Sequence, residues 1–117
     1  MIVDTQALEF FQSIEAKTEK GKVPWQPTAD ENEYVASVGG EFSLIMTRVP
    51  SQDQFGRDAT KYVLTMKDKD NRKLISAMQG IDGITADAMR LLFLAAERHA
   101  LKVGEKLGRL LDQLDRL

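Results

Sequence analysis

The stretch EYVASVGGEFSLIMTRV, residues 33 to 49, holds two β-rich runs on either side of Gly39 and Gly40. Glycine enters the positive-φ conformations of a tight turn without steric cost, so the pair predicts a hairpin between two antiparallel strands. With a two-residue loop, Val38 faces Glu41, Ser37 faces Phe42, Val35 faces Leu44 and Glu33 faces Met46. Opposed residues share a face. One face then carries Val35, Phe42, Leu44 and Met46, and the other Tyr34, Ala36, Ser43, Ile45 and Thr47; the first is the better core face.

Working outward, TKYVLTMK at 60 to 67 alternates Tyr62, Leu64 and Met66 against Lys61, Val63, Thr65 and Lys67, the pattern of a half-buried strand. DKDNR joins it to a shorter run, KLISAM at 73 to 78, and its Asp and Asn residues supply turn chemistry. Because sequential strands usually pair, the economical topology is a four-stranded meander in the order 1-2-3-4.

Helices flank this sheet. Ala7, Leu8, Phe10, Phe11 and Ile14 form an apolar stripe over residues 5 to 20, with Asp4 as N-cap and Lys17, Lys20 and Lys22 at the carboxyl end. Thr85 caps a second helix that follows the connector QGIDGIT. In it Met89, Leu92, Phe93, Ala96, Ala100 and Val103 keep helical spacing, and Leu107, Leu110, Leu111, Leu114 and Leu117 continue an apolar face. Gly104 and Gly108 each weaken a helix by about 1 kcal/mol relative to alanine, so a bend or break is expected near Lys102 to Gly104. The whole reads as one α+β domain over residues 1–117: N-terminal helix, antiparallel meander, and a C-terminal helix or bent helix pair packed on one sheet face.

The order of an amphipathic helix, a lone Trp25 followed by Thr28, a meander ending in the D-x-x-N turn Asp68 to Asn71, and LLFLAAERHALKVGEKLGRLLDQL resembles a group of small uncharacterised bacterial proteins with a leucine-rich C-terminal helix. That resemblance implies the layout and no activity.

Trp25 lies in KVPWQPT, between Pro24 and Pro27. The residue before each proline is biased toward extended backbone, so Val23 and Gln26 hold the connector straight. A tryptophan there reads better as a plug over the sheet, covering the Tyr34 and Ile45 face with its ring N–H partnered at the rim, than as a ligand platform.

Composition bounds function by exclusion. The 117 residues carry a formal charge of −2 and no cysteine, so thiolate metal sites, disulfides and a cysteine nucleophile are out. The amino terminus has neither the basic flank nor the apolar centre of a signal peptide, which makes the expected location cytoplasmic. The single histidine, His99, has no second imidazole to share a metal, and no G-x-S-x-G surrounds a serine. DKDNRK places Asp68 and Asp70 at calcium-loop positions, but Arg72 and Lys73 follow where ligand and glycine are needed, and Gln79 stands at the twelfth position. No metal, cofactor or catalysis is therefore expected. Residues 57 to 73 carry a net +3 and residues 30 to 41 a net −4, and as neighbours in one sheet they are expected to neutralise each other.

What remains suits contacts. The segment PSQDQFGRDA, residues 50 to 59, reads as a long loop presenting Phe55 beside Arg57. The terminal leucines, at intervals of three and four, suit either packing across the sheet or a helix–helix dimer seam. The leading expectation is a non-catalytic interaction or regulatory module of bacterial or phage type, a homodimer or the receiver of a protein partner, with Phe55, Arg57, Leu110, Leu114 and Leu117 as contacts. The alternative is single-stranded nucleic-acid binding through Arg57, Lys61, Lys67 and Arg72, with Tyr62 as the residue that would stack if it is not core. A carboxylate hydrolase or small-ligand binder, whose groups converge only in the fold, is the third reading.

Overall fold

The hairpin at Gly39 and Gly40 forms, but with one residue more in its loop than expected. In the computed structural model, which describes residues 4–75 and 84–117, both glycines have positive φ, 65° and 71°, and Glu41 joins them, donating its N–H to the Val38 carbonyl at 3.3 Å. The three-residue loop shifts the pairing by one: Val38 opposes Phe42, Ala36 opposes Leu44, and Tyr34 opposes Met46. A one-residue shift exchanges the faces of the partner strand. Tyr34 and Ala36, not Val35, join Leu44 and Met46 in the core.

The elements run α1 (Asp4–Glu19), β1 (Gln26–Pro27), β2 (Glu33–Val38), β3 (Phe42–Gln52), β4 (Asp58–Asp68), β5 (Lys73–Ile75), α2 (Ala86–Ala100) and α3 (Val103–Asp115). The antiparallel meander thus has five strands in sequential order, not four. The added strand is the two residues after Trp25, with Gln26 opposite Val35 and Pro27 opposite Tyr34. Proline, lacking an N–H, is tolerated at such an edge.

β3 and β4 pair over eleven positions, from Phe42 opposite Asp68 to Gln52 opposite Asp58. The expected ten-residue loop shrinks to five residues, Asp53 to Arg57. At the other end Asp68 accepts the N–H groups of Asp70 and Arg72 at 2.9 and 3.0 Å, and Asn71 takes φ 64°, the expected side-chain turn. The run 76 to 78 and residues 79 to 83 of the connector lie outside the described residues.

α2 covers the inner sheet face. Thr85 caps it, its hydroxyl accepting from the Ala88 N–H at 3.0 Å. Met89, Leu92, Phe93, Ala96 and Ala100 are buried as their spacing required. Leu64 is buried beneath them, and Tyr62 and Met66 pack at the margin of the same core. α1 lies against α2, with Ala7 and Phe11 buried.

Trp25 is the expected plug, 3% exposed, in one cluster with Val23, Phe11 and Tyr34. With the corrected register it seals the inner face rather than the outer one. Its ring Nε1–H donates to the Thr18 hydroxyl at 3.0 Å, which joins the end of α1 to the connector and satisfies two buried polar groups at once.

The Tyr34 hydroxyl donates to Glu97 on α2 at 3.0 Å. Burial first, then the hydrogen bond and negative charge of Glu97, push its pKa up to about 12. Between pH 10 and 12 the unfolded chain loses this proton while the folded chain keeps it, so stability falls as pH rises. The loss over that window is expected to be about 2 kcal/mol. Denaturant titrations at pH 9 and above check it, and Tyr34→Phe should flatten the slope.

Candidate association surfaces

α2 stops at Ala100 because the chain turns there. Leu101 is right-handed, Lys102 takes a left-handed conformation at φ 53°, and α3 starts at Val103. The expected break is found, and the left-handed residue is the lysine rather than Gly104. A non-glycine residue in this conformation costs about 1 kcal/mol or more, and it sends α3 off the line of α2.

As a result α3 approaches α2 and, among the described residues, no strand. No α3 residue is buried. Leu107, Leu110, Leu111 and Leu114 are 52, 49, 61 and 52% exposed, and Leu117 lies free beyond the last turn. Packing of these leucines across the sheet is thereby overturned, since the left-handed joint carries them away from it. Val103, Leu107, Leu110, Leu114 and Leu117 follow one another at 4, 3, 4 and 3 residues, the a/d spacing of a helix seam.

Gly104 and Gly108 have open space where a Cβ would stand. Since an isolated helix of this length is marginal in water, Gly104→Ala with Gly108→Ala should stabilise α3 by about 2 kcal/mol. Hydrogen exchange of the α3 amides checks it, slowing about tenfold or more.

The second surface is the β3–β4 tip. Asp53 accepts the N–H groups of Phe55 and Arg57 at 2.8 and 3.0 Å and binds the Arg57 Nε at 2.9 Å. The Arg57 backbone N–H leads the hydrogen bonds that hold the Asp53 carboxyl below its usual range. Arg57 lies 5.1 Å from the centre of the Phe55 ring, which is 71% exposed. The tip is a braced five-residue turn at the end of an exposed ribbon. The molecule measures 57 Å along its longest axis, with a radius of gyration of 16.1 Å, against about 13–14 Å for an ordinary domain of this length.

The basic residues remain strung out. Lys61 and Lys67 share the outer side of β4, about 20 Å apart at the strand's rise per residue, while Arg57 and Arg72 stand at opposite ends. Tyr62 points inward, its ring 5.4 Å from Phe93, so it is core and no stacking platform. The acidic segment 30 to 41 lies on and around β2, separated from β4 by β3. The two segments are therefore not ladder neighbours, and the ion pairs among the described residues, Asp53–Arg57 and Asp87–Arg90, do not join them. His99 is exposed, beside Gly21.

Among the described residues no three His or acidic side chains gather as a metal site, and no helix is long and apolar enough to cross a membrane. No family model, curated protein or solved structure matches the chain.

Proposed function

We propose that this protein is a non-catalytic association module that pairs with a second copy of itself through the leucine face of α3. The observation that carries the reading is a 13-residue helix with seam spacing and four leucines about half exposed, projecting from a domain whose core is complete without it. Burying what is exposed on one such leucine contributes about 1 kcal/mol. Eight leucines across a pair thus give about 8 kcal/mol before the cost of bringing two chains together is subtracted. Association is accordingly expected to be weak, in the upper micromolar range rather than below. The Phe55 tip, at the far end of its ribbon, would serve a separate partner. Single-stranded nucleic acid is the weaker reading, because Lys61 and Lys67 stand about 20 Å apart and Tyr62 is core, which leaves Phe55 beside Arg57 as an isolated ring at one end of the strand.

The test is size-exclusion elution of the full chain over a hundredfold dilution. A shift toward smaller size on dilution is expected, and a constant monomer position would sink the proposal.

A further inference from the structure

α1 is held to the domain through α2 and, at its carboxyl end, through the Thr18–Trp25 hydrogen bond, and among the described residues its backbone approaches no strand closely. A groove therefore stays open between α1 and the hairpin end of the sheet. Its inner part, about 250 Å³, is walled by Phe10, Ile14, Val38, Phe42, Leu44 and Met66. Its outer part, about 360 Å³, shares Ile14 and Val38 and opens between Ser13, Lys17, Lys22 and the Gly39 turn.

The mouth is set by how α1 ends. Gly21, at φ 70°, donates its N–H to the Thr18 carbonyl at 3.0 Å, and the Lys22 N–H reaches the Lys17 carbonyl at 2.9 Å. This is a Schellman motif, which usually closes with an apolar contact between the two residues it brings together. Here those residues are both lysines, and neither is in an ion pair among the described residues. Two exposed ammonium groups beside an apolar slot leave two things unanswered, positive charge at the mouth and water against carbon inside it.

A molecule with an anionic head and an apolar tail relieves both. A second copy's α3 relieves only the second, because Glu105, Asp112 and Asp115 are balanced by Lys106, Arg109 and Arg116. We propose that the groove binds a medium-chain alkyl carboxylate. The carboxylate sits on Lys17 and Lys22, and the chain runs past Ile14 and Val38 toward Phe42 and Met66. The site is separate from the leucine face and does not rest on self-association.

Calorimetric titration of the full chain with octanoate, decanoate and dodecanoate, each below its micelle concentration, tests it. One saturable site is expected, with affinity rising about three- to fourfold per added methylene. Lys17→Gln with Lys22→Gln should weaken decanoate at least tenfold and leave decanol unchanged. Val38→Trp, at an exposed strand end, should block the slot and abolish the heat. The proposal is overturned by the absence of a saturable site, by equal affinity for decanoate and decyltrimethylammonium, or by binding that survives these substitutions. Binding seen only after Leu110→Glu with Leu114→Glu would assign the slot to a second copy's helix, and would overturn it too.

Discussion

Phe93→Ala is expected to lower the melting temperature by about 10–25 °C, the largest effect of any single truncation in the chain. Phe93 is fully buried, on the inner side of α2 over the centre of the sheet. The rings of Tyr34 and Tyr62 meet it at 5.5 and 5.4 Å, inclined by 62° and 51°, and the Arg48 guanidinium lies 4.9 Å from its centre. Arg48 is held in place from the other side by Asn32, which accepts its Nε–H at 3.0 Å. Removing the ring takes away the shared partner of three strands, β2 through Tyr34, β3 through Arg48 and β4 through Tyr62, and leaves a cavity that this framework cannot collapse around. Truncations of this kind cost about 3–5 kcal/mol, a large share of the 5–15 kcal/mol that holds an ordinary domain together. Phe93→Leu keeps most of the volume and should cost about 1–1.5 kcal/mol. A fall under 5 °C for the alanine variant would mean that the core is centred elsewhere.

Most of this fold could be read from local chemistry. The stripe of α1, the Thr85 cap, the Asp68 turn and the break after Ala100 each depend on residues within a few positions of one another, and each is found. The Asp4 cap falls on a side chain outside the described residues. The hairpin register was not legible. Gly39-Gly40 serves a two- or a three-residue loop equally well, and β2 carries apolar residues on both faces, so alternation did not choose between Val35 and the pair Tyr34 and Ala36. What decides is long-range: Tyr34 needs Glu97, sixty-three residues away.

β1 was missed because two residues carry no period. The ends of β3 and β4 were missed because Pro50 and a run of polar side chains imitate a loop. β2 pairs with β3 only as far as Thr47, so at Pro50 one side of β3 is an open edge, where a missing N–H costs nothing. Of the candidate contacts, the residue types of the leucine face were legible and its exposure was not. Leucines at intervals of three and four look the same whether they meet a sheet, a second helix or water, and the left-handed turn at Lys102 that takes them off the sheet has no signature in a lysine.

Leu110→Glu with Leu114→Glu is expected to weaken self-association at least a thousandfold, which corresponds to about 4 kcal/mol. A pair of chains would lose the burial of four leucines, and four carboxylates would have to shed water against an apolar seam. The same changes should leave the folded monomer nearly untouched. Both positions are half exposed and touch nothing in the core, and the like-charge contact between them one turn apart costs only about 0.2–0.5 kcal/mol. Intact near-ultraviolet signal from Trp25 and an unchanged monomer melting temperature would separate loss of pairing from loss of fold.

The claim that α3 exists to meet a second copy is tested most directly by sedimentation equilibrium of the two proteins side by side, from a few micromolar to a few hundred. The account predicts that the natural chain passes reversibly from a 13.1 kDa species to one of twice that mass, while the double glutamate variant stays at the lower mass throughout. A natural chain that remains at the lower mass across the whole range, or a variant that pairs as well as the natural chain, would contradict it.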